Sequence, residues 1–210
     1  MKTAVIWDLD GTLFDSYPVI VESIYLTFQE SGIPLTREQI KEYAIRFSSS
    51  ALFCEVADER RIAAEALFNR YNQLSRERYL QIEPMDGALD VLERLHSKDV
   101  CQYVYTHRGQ TTIPVLDHLG MTSYFDEILT SRSGFARKPD PEAIDYLICT
   151  HKLDRENTYY VGDRELDMAC AKNAGIAGIL FQKPGDLNVA DGTEKFIVSD
   201  LAQIADIVIK

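Results

Sequence analysis

Thr3-Ala4-Val5-Ile6-Trp7-Asp8-Leu9-Asp10-Gly11-Thr12 is the stretch that decides how the chain is to be read. Its first five residues form a compact, largely apolar run, as a strand covered on both faces requires, and the run closes on an acid and a turn-forming glycine. Asp8 and Asp10 stand two apart, so extended geometry sends both side chains toward the same side of the sheet edge. Two carboxylates in one small space raise each other's proton affinity unless a cation stands between them. A divalent metal and a shared proton are the physical alternatives. An exposed acidic turn is the bland reading of the same residues. Gly11 and Thr12 permit a tight turn whose amides face the carboxylates, which suits an anion.

Similar short runs recur at Val100 to Tyr105, Glu127 to Thr130, Thr158 to Val161, Ile176 to Phe181 and Lys195 to Val198, with helical patterns between most of them. The alternation predicts an α/β fold: a Rossmann-like parallel sheet with helices on both faces. Asp140-Pro141 reads as a helix start and Asn173-Ala174-Gly175 as a helix exit. Between Ser16 and Gln81 helical periodicities run without a strand, so this segment reads as an inserted all-α helical domain. The core is then residues 1–15 and 82–210, and the insertion 16–81. One helix is expected from Pro18 to Glu30, a second from near Thr36, and a longer one from about Asp58 to Tyr79 with Ile62, Leu67, Tyr71 and Leu74 on its packed face.

Composition narrows the function classes. At 210 residues with 46% hydrophobic and 26% charged residues, the chain has ample apolar material for a core, which argues against disorder. Lys plus Arg is 22 and Asp plus Glu 33, so the formal charge is 22 − 33 = −11, a field that repels nucleic acid and anionic membranes. No apolar run reaches the roughly 20 residues of a membrane span, and Met1-Lys2 does not open a signal peptide, so a cytoplasmic protein is expected. Cys54, Cys101, Cys149 and Cys170 lie far apart and read as buried free thiols. The oligomeric state is not readable.

Three further segments carry chemistry. Gly162-Asp163-Arg164-Glu165-Leu166-Asp167 follows a predicted strand and opens a helix, placing Asp163 and Asp167 within reach of one metal; the alternative is that Asp163 caps the helix and Asp167 favours its dipole. Thr106 ends another strand. Lys138 lies before Pro139 in a loop, where an exposed lysine is the default. Ligands of an open parallel sheet bind beyond the carboxyl ends of its strands, so these residues converge on one edge with Asp8. Acids, a hydroxyl and a lysine together suit a phosphate with magnesium offsetting the acids.

These motifs, DLDGT at 8–12, Thr106, Lys138 and GDRELD at 162–167, taken in order over essentially the whole chain, resemble the haloacid dehalogenase-like hydrolase superfamily. The resemblance implies that Asp8 is a nucleophile forming an aspartyl-phosphate and Asp10 the general acid and then base. It implies that Thr106 and Lys138 bind the phosphoryl group. Mg2+ is then held by Asp163, the Asp8 carboxylate and the Asp10 backbone carbonyl, with Asp167 as a water-mediated support. The insertion resembles the helical cap of the phosphoglycolate phosphatase and β-phosphoglucomutase branch, which closes over the site; Arg46 is a candidate reader of substrate there. An acid at position 10 favours phosphatase over dehalogenase chemistry.

A small phosphorylated metabolite is the expected partner. A phosphomutase is the close alternative, although Ser16-Tyr17-Pro18-Val19-Ile20 lacks the histidine such mutases carry after the first motif. A non-catalytic module switched by phosphorylation of Asp8 is a third reading.

Overall fold

The structure is a computed structural model that describes residues 3–183, 190 and 192–209. Met1 and Lys2, read above as no signal peptide, lie outside the described residues, as do parts of the core range after 183. The chain divides into two compact units, residues 1–15 with 84–210, and residues 16–83.

In the first unit six strands form a parallel sheet: β1 Ala4–Trp7, β4 Cys101–Tyr105, β5 Glu127–Leu129, β6 Thr158–Gly162, β7 Ala177–Phe181 and β8 Phe196–Val198, ordered β5-β4-β1-β6-β7-β8. Two two-residue strands, β2 Phe14–Asp15 and β3 Glu83–Pro84, mark where the chain departs for the second unit and returns. The α/β, Rossmann-like reading is borne out: five of the predicted strands are one residue shorter than expected, and the one from Thr158 runs one residue further, to Gly162. Every residue of β1 is buried, as its unbroken apolar run requires.

Both faces of β1 are covered by helices. On one, Ala4 and Ile6 join Tyr103, Tyr105 and Tyr160 beneath Ile144 and Leu147 of α7 (Glu142–His151) and Cys170 and Ala171 of α8 (Glu165–Asn173). On the other, Trp7 Nε1 donates to Gln102 Oε1 at 3.2 Å, and Gln102 Nε2 donates to the Leu92 carbonyl of α5 (Ala88–His96) at 2.9 Å. That chain satisfies three buried polar groups between sheet and helix.

Asp140 does not stand at the N-cap of α7. Pro141 does, while the Asp140 carboxylate accepts the Glu142 amide at 3.0 Å from one residue upstream. Asn173 ends α8, and Gly175 takes a left-handed φ of 65°, as its exit reading requires.

The second unit is four helices: α1 Tyr17–Glu30, α2 Arg37–Arg46, α3 Ser49–Arg60 and α4 Ala64–Arg78. Thr36 and Gln39 close a capping box that starts α2. The single helix expected from Asp58 to Tyr79 is in fact two. Arg61 adopts φ 55° and ends α3, and Ile62 is exposed in the turn rather than on the packed face. No glycine or asparagine marks that break, which is why hydrophobic spacing ran through it. Phe53 centres this unit's core, with ring centroids 5.4 Å from Phe28, 4.9 Å from Phe68 and 5.2 Å from Tyr71. Arg46 is exposed and pairs with Glu42 at 3.3 Å, a solvated contact of little energy.

The expectation of buried thiols holds for Cys170 and fails for Cys54 and Cys149, which lie on solvent-facing positions of α3 and α7. Among the described residues no helix is long and apolar enough to cross a membrane.

Removing the Phe53 ring leaves three aromatic neighbours facing a void. Phe53→Ala should lower stability by about 3–5 kcal/mol in denaturant unfolding; a loss below about 1 kcal/mol would contradict the packing described.

Candidate active site

Strand register assembles the site. Trp7 is level with Val104 on one side and Val161 on the other, so the residues just past the strand ends, Asp8, Thr106 and Asp163, emerge along one edge. The backbone holds them there: Asp8 N donates to the Val161 carbonyl at 2.8 Å and Thr106 N to the Leu129 carbonyl at 3.0 Å. All three side chains belong to buried residues. After Asp8 the chain turns sharply, with the Leu9 carbonyl accepting the amides of Thr12, Leu13 and Phe14 at 2.8–3.0 Å. Gly11 sits at φ 83° in this turn, a conformation costly to any residue with a Cβ.

One ligand atom from each of Asp8, Asp163 and Asp167 falls within 4.8 Å of the others, and all three residues are buried. Lys138 enters this cluster from its loop. Its Nζ donates to Asp8 Oδ1 at 2.9 Å and to Asp167 Oδ1 at 2.8 Å, and it lies 5.2 Å from the ring centroids of both Tyr105 and Tyr160. The default reading of an exposed lysine is wrong: Lys138 is 6% exposed. Burial alone would strip its proton, but Asp167 and Asp8 outweigh burial and hold the ammonium above its ordinary range.

Burial pushes the Asp8 carboxyl up to about 6, with Lys138 opposing and Asp167 adding to the rise. Three buried carboxylates against one ammonium leave an excess of negative charge that a divalent cation would neutralise, so the donor set fits a hard, oxygen-seeking metal.

The crowding expected of Asp8 with Asp10 is replaced by crowding of Asp8 with Asp163 and Asp167. Strand geometry stops at Trp7, so period-two spacing does not carry through to Asp10. The Asp10 carboxylate instead accepts from Arg108 Nη1 at 2.6 Å, close enough to Asp8 only to add a small upward push on it. Asp163 is not the helix cap. Arg164 stands at the N-cap of α8, and its amide donates to Asp167 Oδ2 at 3.2 Å. Asp167 Oδ1 also accepts the Tyr160 hydroxyl at 3.2 Å.

Sequence reasoning gave no role to Tyr160, Gly162 or His107. A Cβ on Gly162 would stand 2.4 Å from Asp167 Cγ, so Asp167 reaches Lys138 only because residue 162 lacks a side chain. His107 Nε2 accepts the Lys138 amide at 2.9 Å and so fixes the lysine's backbone. That bond requires the neutral ring with its proton on Nδ1, and the 3.3 Å approach of Arg137 Nη2 to Nδ1 is then a contact between donors. Burial, followed by the Lys138 and Arg137 charges, brings the His107 imidazole down to about 3. Thr106 Oγ1 accepts the Arg108 amide at 3.2 Å, which leaves its own proton to donate to a ligand.

With this geometry in view, the sequence profile of the haloacid dehalogenase-like hydrolase family matches residues 5–181. A phosphoglycolate phosphatase of Vibrio vulnificus (strain CMCP6) is 27% identical over 98% of this chain and 95% of its own. The pyrophosphatase PpaX of Listeria monocytogenes serotype 4b (strain CLIP80459) is 27% identical over 98% and 96%. The crystal structure of a predicted phosphoglycolate phosphatase from Haemophilus somnus 129pt superposes with a TM-score of 0.86 at 21% identity, over 98% of this chain and 97% of that one.

Gly162→Ala should displace Asp167 and cost about 1–3 kcal/mol of stability in thermal or denaturant unfolding, the usual penalty of overfilling a packed site; a neutral substitution would refute the close approach. His107 supplies a pH test. Its folded-state value near 3 lies below the ordinary 6.5, so its contribution is complete above pH 6.5 and is lost as pH falls toward 3. Relative to His107→Gln, the parent should lose about 1 kcal/mol between pH 7.5 and 5, an amount tempered because the ring still reaches solvent. A parent-to-variant difference that stays constant with pH would show that the ring is not held neutral.

Proposed function

Because this chain belongs to the haloacid dehalogenase-like hydrolases, we propose that it is a Mg2+-dependent phosphatase of small phosphomonoesters, working through a phosphorylated Asp8. The observation that carries this reading is the buried group of Asp8, Asp163 and Asp167, with the Lys138 ammonium paired to Asp8 and Asp167. Asp8, Asp163 and the Asp10 backbone carbonyl would hold the metal, with Asp167 supporting. When bound, Mg2+ supplies charge neutralisation at the phosphoryl oxygens.

The protein's own residues account for the remaining chemistry. Lys138 and Thr106 orient the phosphoryl group by donating to its oxygens. An Asp8 oxygen attacks phosphorus while the bond to the leaving oxygen breaks, and Asp10 gives its proton to that oxygen. Asp10 then takes a proton from water as the water attacks the aspartyl-phosphate. Asp8 is restored and inorganic phosphate leaves. Lys138, tied to Asp8 in this structure, keeps the carboxylate oriented for attack. On this reading the helical unit, residues 16–83, carries the selection among esters.

Two of the relatives are a phosphoglycolate phosphatase and a pyrophosphatase, so small, strongly anionic substrates such as 2-phosphoglycolate and pyrophosphate head the panel to be assayed. Inorganic phosphate should be released with Mg2+, fall to background with EDTA and drop by at least about 10³-fold in Asp8→Asn, as expected when a covalent nucleophile is removed. An Asp8→Asn protein as active as the parent, or no release from any ester with Mg2+, would reject this function.

A further inference from the structure

We propose that Arg108 is the positioning residue for Asp10, an inference that rests on the acid and base role given to Asp10 above. The two residues are 98 positions apart, yet Arg108 Nη1 donates to Asp10 Oδ1 at 2.6 Å. The arginine side chain is 7% exposed and the aspartate side chain 26%, so the pair sits at the boundary of the site rather than on an open surface. An exposed ion pair of this kind would contribute little, but one whose cation is nearly buried is ordered by its surroundings.

Three contacts order Arg108. Its guanidinium lies 5.9 Å from the centroid of the Phe14 ring, which is fully buried. Its amide donates to Thr106 Oγ1. Its Nη1 holds Asp10. Phe14 in turn closes the turn that carries Asp10, since its carbonyl accepts the Gly11 amide at 2.9 Å. One residue therefore ties the Thr106 hydroxyl, which is to grip phosphate, to the carboxylate that is to move the proton.

The consequence is geometric. With Oδ1 of Asp10 fixed by Arg108, the rotation of the carboxylate is set and Oδ2 is the oxygen presented to the leaving group and later to water. Asp10 lies on a turn after the strand has ended, so backbone pairing in the sheet does not aim it. Misaiming by even a fraction of an ångström removes most of the benefit of a positioned proton donor.

Leaving-group dependence tests this role, because a poor leaving group needs the proton and a good one does not. The measurement is the single-turnover release of alcohol from 2-phosphoglycolate and of p-nitrophenol from p-nitrophenyl phosphate, which reads the first chemical step alone. Arg108→Gln should slow the alkyl ester roughly 100-fold with KM little changed, and the aryl ester by less than about tenfold. Arg108→Lys, which keeps a cation without the fork, should recover part of the loss on the alkyl ester. Should Arg108→Gln fail to fold by circular dichroism, the ratio of the two losses is read from Arg108→Lys alone.

Equal losses on both esters, no loss, or a raised KM with kcat preserved would overturn the assignment. A parent protein that releases no leaving group from any ester of the panel with Mg2+ would overturn the phosphatase reading together with this one, whereas an active parent with leaving-group-independent losses overturns only the role of Arg108.

Discussion

The ammonium of Lys138, buried between Asp8 and Asp167, is the contact on which the rest of the site depends. An unpaired charge at that depth would be costly, and so would three carboxylates without a cation. Each group makes the burial of the other tolerable. The protein surrounds the pair with further constraints: Tyr105 and Tyr160 present their ring faces to the ammonium, Tyr160 donates to Asp167, and His107 holds the backbone of Lys138 itself. Such a cluster stores no great stability, since a buried ion pair seldom surpasses the packed hydrophobes that might replace it. What it supplies is an arrangement of charge that is already formed before a ligand arrives.

The parallel sheet was legible in the sequence because its signal is local. Each strand is a short apolar run, and β1 ends where Asp8 begins. Once the strands are aligned in parallel, Asp8, Thr106 and Asp163 must emerge at a common edge. The details beyond the strand ends were less legible. Asp10 parts from Asp8 because a turn, not a strand, carries it. Asp167 pairs with Lys138 across 29 positions and Arg108 with Asp10 across 98, and no spacing rule spans such separations. A usable signal did exist for Tyr105 and Tyr160: both are large polar-tipped residues near the carboxyl ends of their strands, Tyr105 beside Thr106 and Tyr160 just ahead of Asp163. Gly162 carried one too, since a glycine closing a strand marks a close approach.

In the helical unit the sequence misled at one place for a definite reason. Arg61 adopts a left-handed conformation that usually falls to glycine, so the break between α3 and α4 leaves no compositional trace. Elsewhere the punctuation was explicit, as in the Thr36 and Gln39 box. The net charge of −11 was equally readable, and it repels bulk polyanions without governing a pocket where Lys138 and Arg108 set the local field.

Where the chain re-enters the first unit, the amide of Met85 donates to the carbonyl of Leu13 at 2.9 Å. That bond helps fasten the two ends of the excursion side by side within the sheet-bearing unit. To the strands, everything from Ser16 to Glu83 then amounts to one closed loop, whose entropic toll grows only with the logarithm of its length, about 0.6 kcal/mol for each doubling. Evolution can therefore lengthen, shorten or replace the helical segment while the catalytic framework scarcely registers the change.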